Sequence, residues 1–170
     1  MGESVVGEPA VRTVDLPDAT ATADLARQLA AHLPADTAGW LVLLQGDLGA
    51  GKSTLARAML QALGHRGAVP SPTYTLVEPY DIDGRRVYHV DLYRVAAAEE
   101  LEFLGWDDLQ DGLLLVEWPE RVPGLAARAD ATVQLAYSGA GRRAALAAGS
   151  ARGAAWLARP AVDTGAGVEG

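Results

Sequence analysis

Gly46-Asp47-Leu48-Gly49-Ala50-Gly51-Lys52-Ser53 fills every fixed position of the phosphate-binding loop pattern G-x-x-x-x-G-K-[ST]. No other stretch constrains the fold as strongly, because such a loop has its meaning only between a buried strand and the first turn of a helix. Both neighbours are present. Trp40, Leu41, Val42, Leu43 and Leu44 form a continuous apolar run suited to a strand covered on both faces. Leu55, Met59, Ala62 and Leu63 then recur at helical spacing, with Arg57 and Gln61 on the other side. Glycines let the backbone turn so that successive N–H groups face inward, and the helix dipole adds positive potential where phosphates sit. In this pattern Lys52 reaches the β and γ phosphates and the Ser53 hydroxyl takes a place on Mg²⁺. Lys52 is also the single lysine of the chain, arginine serving at the other strongly basic positions. A compact ammonium stands where a planar guanidinium would not fit the same pocket.

A chain of 170 residues has room for one domain with a real core. With no cysteine, neither a disulfide framework nor a thiolate metal site is available. The start, Met1 to Pro9, carries Glu3 and Glu8 and lacks an apolar signal region, and no run is long enough to span a bilayer. The expectation is a cytoplasmic protein without a membrane partner. It divides into a flexible N-terminus over 1–10, a phosphate-loop domain over 11–159 and a disordered tail over 160–170.

Between Asp81 and Glu120 there are eleven acids against three arginines, so this stretch carries the whole formal excess of −8. Phosphate backbones are gripped largely by Lys and Arg, so nucleic acid, if involved, is held by a partner rather than by this chain. Glu99, Glu100 and Glu102 are readable as a solvated helix face or as a docking patch for a basic partner.

In chain order, Val11 to Leu16 alternates as a short strand. A helix follows, capped by Thr20 or Thr22, with Leu25, Leu29 and Leu33 as its buried stripe and Pro34 as its stop. Ser71-Pro72-Thr73-Tyr74-Thr75 leads into a strand running to about Tyr80; its hydroxyls either meet a γ-phosphate and its metal or simply enter the strand. The turn Asp81 to Gly84 predicts an antiparallel hairpin with Arg86 to Asp91. His89, alone inside that strand, is read as packed or hydrogen-bonded rather than catalytic. A helix is expected over Ala96 to Leu104, with Gly105 ending it.

Leu113 to Val116 forms a second apolar strand, ending in Glu117, and is the better candidate for lying beside the phosphate-loop strand. Asp91 and Glu117 thus compete for metal and water. A terminal hairpin of Thr132 to Tyr137 with Arg142 to Ala147, and a short helix over Arg152 to Arg159, complete the chain. The whole predicts an α/β domain whose sheet mixes parallel and antiparallel strands.

Five segments in order resemble the bacterial TsaE family, the ATPase component of the threonylcarbamoyladenosine (t6A) tRNA-modification system. They are residues 46–54, Ser71-Pro72-Thr73-Tyr74-Thr75-Leu76-Val77, His89-Val90-Asp91-Leu92-Tyr93-Arg94, Glu99-Glu100-Leu101-Glu102-Phe103-Leu104-Gly105 and Val116-Glu117-Trp118-Pro119-Glu120-Arg121. The resemblance covers roughly residues 11–150. It implies weak intrinsic ATP hydrolysis with ATP and Mg²⁺ as cofactors, and association with the TsaB and TsaD subunits, tRNA being met only indirectly. Carried onto matching positions, it assigns phosphate and Mg²⁺ to Lys52 and Ser53 with Thr54 beside them, a switch-like segment to Thr73 and Thr75, the catalytic acid to Asp91, and the metal-linked acid to Glu117 with Trp118 adjacent. Which acid positions water stays open. Where the family commonly has Thr, this chain has Ser53, and the hydroxyl survives. The Ala- and Gly-rich tail after Gly149 is outside the pattern.

Two other classes are compatible with a phosphate loop. A small-molecule or nucleoside kinase usually closes an arginine-bearing lid over the phosphates, and the sequence after Asp91 is acidic where that lid belongs. A nucleotide-dependent binding module would hold ATP with little hydrolysis. No Asn-Lys-x-Asp guanine-reading pattern is present, which favours adenine.

Overall fold

Strands rich in Leu and Val on both faces demand cover on both faces, and the chain supplies it with a seven-stranded sheet between two layers of helices and turns. The computed structural model describes residues 11–72, 76–97, 99–103 and 105–158. The strands are β1 (Val11–Leu16), β2 (Leu41–Gln45), β3 (Val77–Ile82), β4 (Arg85–Asp91), β5 (Leu113–Glu117), β6 (Ala131–Ser138) and β7 (Gly141–Ala148). The helices are α1 (Ala19–Ala31), α2 (Lys52–Ala62), α3 (Glu100–Phe103) and α4 (Ala151–Leu157). Sheet order is β1-β7-β6-β2-β5-β4-β3. The four central strands run parallel, and β3, β7 and β1 add antiparallel edges. The mixed sheet expected from sequence is therefore present, as is the adjacency of β2 and β5. No helix among the described residues is long and apolar enough to cross a membrane.

Alternation along each strand divides the core. Val42, Leu44, Leu113, Leu115 and Val133 share one cluster with Leu25 and Leu29 of α1 and Leu55, Met59 and Leu60 of α2. Leu41, Leu43, Val90, Leu114 and Val116 pack on the other face with Leu101, Trp106, Leu109, Val122 and Leu125. Each such leucine, fully buried, contributes roughly 1.5–3 kcal/mol relative to exposure. Because both faces are covered, the functional side chains must emerge at the strand ends.

Local differences from the sequence reading have local causes. Asp18, not Thr20 or Thr22, caps α1: its Oδ1 accepts the Ala21 N–H at 2.9 Å, while Thr22 is buried within the helix. A carboxylate one residue before the helix reaches an orphan N–H that a hydroxyl inside it does not. In α2 the buried stripe runs through Leu55, Ala56, Met59 and Leu60, leaving Ala62 exposed. Within the helix expected over 96–104, α3 spans Glu100–Phe103, the Glu100 carboxylate accepts the Ala96 N–H at 3.2 Å, and residues 98 and 104 lie outside those described. Helix α4 starts at Ala151 because Ser150 caps it by accepting the Gly153 N–H at 3.0 Å. The expectations for the N-terminus, for the tail from 160 and for Leu104 lie outside the described residues.

Candidate phosphate-binding site

Strand β2 ends at Gln45, and the chain turns at Gly46 with φ of +150° into the loop that opens α2. A Cβ at Gly46 would lie 2.5 Å from the Leu135 carbonyl oxygen of β6, so glycine is required for close approach as well as for backbone freedom. Gly46→Ala is expected to lower stability by more than about 1 kcal/mol and to weaken nucleotide affinity, checked by urea melts and by titration with a fluorescent ATP analogue.

At the helix start, Lys52 is 5% exposed. Its Nζ donates to the Gly46 carbonyl at 2.5 Å and the Asp47 carbonyl at 3.0 Å, and sits 4.1 Å from the centre of the Trp118 ring. Burial depresses its pKa, opposed by the negative charges of Glu117, Glu120, Asp91 and Asp47. Trp118 reaches that position because it follows β5 in the left-handed region, φ +56°. Its ring also contacts Tyr93, 5.0 Å between centres.

Ser53, one residue on, donates its hydroxyl to Glu117 Oε1 at 2.8 Å. The second oxygen, Oε2, lies 2.5 Å from His89 Nε2. Glu117 is 2% exposed, at the end of β5 and paired in register with Asp91 at the end of β4. Asp91 is buried too, and its Oδ1 accepts the Tyr93 N–H at 2.9 Å. Lys52, Ser53, Thr54, Asp91, Glu117 and Trp118 line one cleft of about 320 Å³. A second cleft, of about 250 Å³, shares Gly49, Ala50, Gly51 and Thr54 with the loop and extends to Pro17, Asp18, Thr22 and Arg142. Among the described residues no group of three or more His, Asp or Glu could hold a metal.

Of the residues singled out from sequence, the structure thus brings Gly46 to Thr54, Asp91, Glu117 and Trp118 together. Within the loop Asp47 presents its carbonyl to Lys52, Ala50 is buried and Leu48 is 75% exposed at the tip. Thr73 and Thr75 lie outside the described residues. Three residues were not foreseen in the site. His89 is one. The others come from the β6–β7 hairpin: the Tyr137 hydroxyl donates to the Leu48 carbonyl at 3.0 Å, and Arg142 Nη2 donates to the Gly49 carbonyl at 3.3 Å. Arg142 also stacks 4.1 Å over the Tyr137 ring. The hairpin itself was legible, and it sets these two residues opposite each other. Their reach to the loop depends on β6 lying beside β2, which no local pattern records.

A parallel-centred α/β sheet with a glycine-rich loop between β2 and α2, and a carboxylate delivered by the adjacent strand, makes this a single α/β domain with the strand–loop–helix context that the phosphate-loop pattern requires. The family model described as threonylcarbamoyl adenosine biosynthesis protein TsaE matches residues 16–145, and the chain belongs to that family. The tRNA threonylcarbamoyladenosine biosynthesis protein TsaE of Haemophilus influenzae is 54% identical over 99 residues, covering 57% of this chain and 63% of that protein. The chain therefore spans less than two thirds of that relative's length. The protein of the same description from Synechocystis is 44% identical over 116 residues, covering 65% and 71%. In fold, the crystal structure of Bacillus subtilus YdiB superposes with a TM-score of 0.66, covering 89% of this chain and 94% of that one at 23% identity.

Proposed function

We propose that this chain is a Mg²⁺-dependent ATPase that supports repeated turnover of a tRNA threonylcarbamoyladenosine-forming complex, acting with TsaB and TsaD subunits in the cytoplasm. One observation carries the reading: Ser53 is hydrogen-bonded to Glu117 in the cleft that also holds Lys52. A hydroxyl and a carboxylate 2.8 Å apart are hard oxygen donors of the type Mg²⁺ prefers. Ser53 and Glu117 would hold the ion, and with so few protein oxygens waters and phosphate oxygens would complete its shell, as is usual for Mg²⁺. Mg²⁺, when bound, neutralises charge developing on the phosphates.

The chain's own groups do the rest by positioning. Lys52 exchanges the Gly46 and Asp47 carbonyls for phosphate oxygens, with Trp118 walling its stem. Loop amides and the α2 N-terminus add positive potential. Glu117 takes the metal side because it already contacts Ser53, which leaves Asp91 to orient the attacking water from the neighbouring strand end. Pro17, Thr22 and Arg142 give the second cleft an apolar wall and a stacking cation for the adenine and ribose.

Phosphate release from Mg²⁺–ATP is expected to be slow for the chain alone and to rise when TsaB and TsaD subunits are added. Release that requires a phosphoryl-accepting small molecule would instead identify a kinase. Binding without release in every arm would identify a nucleotide-dependent binding module.

A further inference from the structure

Among the polar groups around the cleft, His89 is the one whose presence the reading above does not explain. It lies mid-strand in β4, 1% exposed, opposite Leu115 of β5. Among the described residues its single polar contact is with Glu117 Oε2, at 2.5 Å. The other ring nitrogen, Nδ1, is buried with no hydrogen-bond partner among the described residues. A residue serving only to fill that space would leave no orphan nitrogen if it were apolar, so packing alone does not account for an imidazole here. A carboxylate oxygen accepts hydrogen bonds, and an imidazole N–H at Nε2 is the donor that matches it across this contact. The two carboxylate oxygens of Glu117 are consequently divided: Oε2 is taken by His89, and Oε1 faces Ser53.

We propose that His89 is a positioning residue: its Nε2–H fixes the Glu117 carboxylate so that Oε1 is presented to Ser53 and to a divalent cation arriving with the nucleotide. Without that anchor Glu117 has one partner instead of two, and the carboxylate is free to turn about its terminal bond. Partners of this kind, which orient a ligand without touching the metal, alter metal affinity when removed by about 10–100-fold. The inference rests on the Mg²⁺–nucleotide reading of the site and adds to it a residue on a strand that contributes no phosphate contact.

The test measures the affinity of a fluorescent ATP analogue for the full chain in MgCl₂ and in EDTA, taking the ratio as the metal's contribution. In His89→Leu this ratio is expected to fall on the order of tenfold, with affinity in EDTA unchanged within about twofold. His89→Gln keeps a side-chain N–H donor and is expected to recover most of the ratio. A full ratio in the Leu variant overturns the proposal. So does an equal loss of affinity in MgCl₂ and EDTA, which marks a role in folding only. Should the Leu variant fail to fold, the Gln variant decides: a retained ratio supports the donor role, and a lost one overturns it. Failure of the underlying reading would look different, because the unsubstituted chain itself would then show no Mg²⁺-dependent binding.

Discussion

Lys52→Ala is expected to lower ATP turnover by a hundredfold or more, the cost typical of removing a preorganised charge that faces developing negative charge. It is also expected to abolish saturable binding of a fluorescent ATP analogue. Lys52 is the only lysine in the chain, its ammonium is held at the mouth of the loop by the Gly46 and Asp47 carbonyls, and Trp118 covers its other side. Among the described residues no arginine lines the cleft shared by Ser53 and Glu117. The charge consequently has no substitute within that cleft. Lys52→Arg is expected to fail nearly as badly, since a planar fork cannot take the same pair of carbonyls and the same ring face in so narrow a space. Unchanged far-ultraviolet circular dichroism in both variants separates the effect from misfolding. Turnover and binding both surviving in Lys52→Ala would remove the basis for the proposed function.

The largest effect on stability is expected at Asp130, at the start of the β6 region and far from the phosphates. Its carboxylate is buried and accepts four hydrogen bonds: from the Leu41 N–H at 2.9 Å, from the Ser150 hydroxyl at 2.8 Å, and from Arg152 Nε and Nη2 at 2.8 and 3.0 Å. It thereby ties the entry of β2 to the first turn of α4. Helix α4 completes the tie by placing Trp156 edge-on against Trp40, 5.8 Å between ring centres, with its indole N–H donating to the Leu29 carbonyl at 2.9 Å. Asp130→Ala leaves the buried Leu41 N–H without its acceptor and takes from Arg152 one of its partners, the Gly39 carbonyl remaining, and a loss of about 2 kcal/mol is expected. For a domain of this size that corresponds to a fall in melting temperature of about 4–8 °C.

The same carboxylate makes part of the stability depend on pH. Burial alone would raise the pKa of Asp130, but the hydrogen bonds from Arg152, Leu41 and Ser150, with the charge of Arg152, outweigh it and hold the pKa below the usual value of 3.8. A carboxyl depressed in the folded state contributes stability that is fully present above its unfolded pKa. That contribution is lost as pH falls through the lower folded value. The stability gap between the native chain and Asp130→Asn is therefore expected to be constant from pH 7 to about 5 and to narrow below about pH 4, as read from urea melts at each pH.

How far the sequence reached depended on whether a feature was local. The loop announced itself by glycine spacing, and β2 and β5 by apolar runs that only a doubly covered strand tolerates. The neighbourhood of Ser53 and Glu117 followed once β5 was placed beside β2, as the register confirms. Caps and short helices were less legible, because Asp18 acts through a side-chain oxygen that competes with the nearby hydroxyls of Thr20 and Thr22, and the Glu100 carboxylate turns back onto the Ala96 N–H in a run of alanines that marks no boundary. Least legible were contacts set by sheet order alone. His89 meets Glu117 across 28 positions, Tyr137 meets Leu48 across 89, and Asp130 meets Leu41 across 89. Each partner looks ordinary in its own segment, and only the placing of β4 beside β5 and of β6 beside β2 gives it a role.

The Tyr137 contact has a consequence on the side of the loop it does not touch. A peptide unit is a rigid plane, and in the trans form its carbonyl and its amide point in opposite directions. None of the described peptide bonds is cis. Holding the Leu48 oxygen against the hairpin therefore turns the Gly49 N–H away from it. The phenol of a residue 89 positions downstream acts like a hand on a lever, aiming a donor at the far end of the same plane.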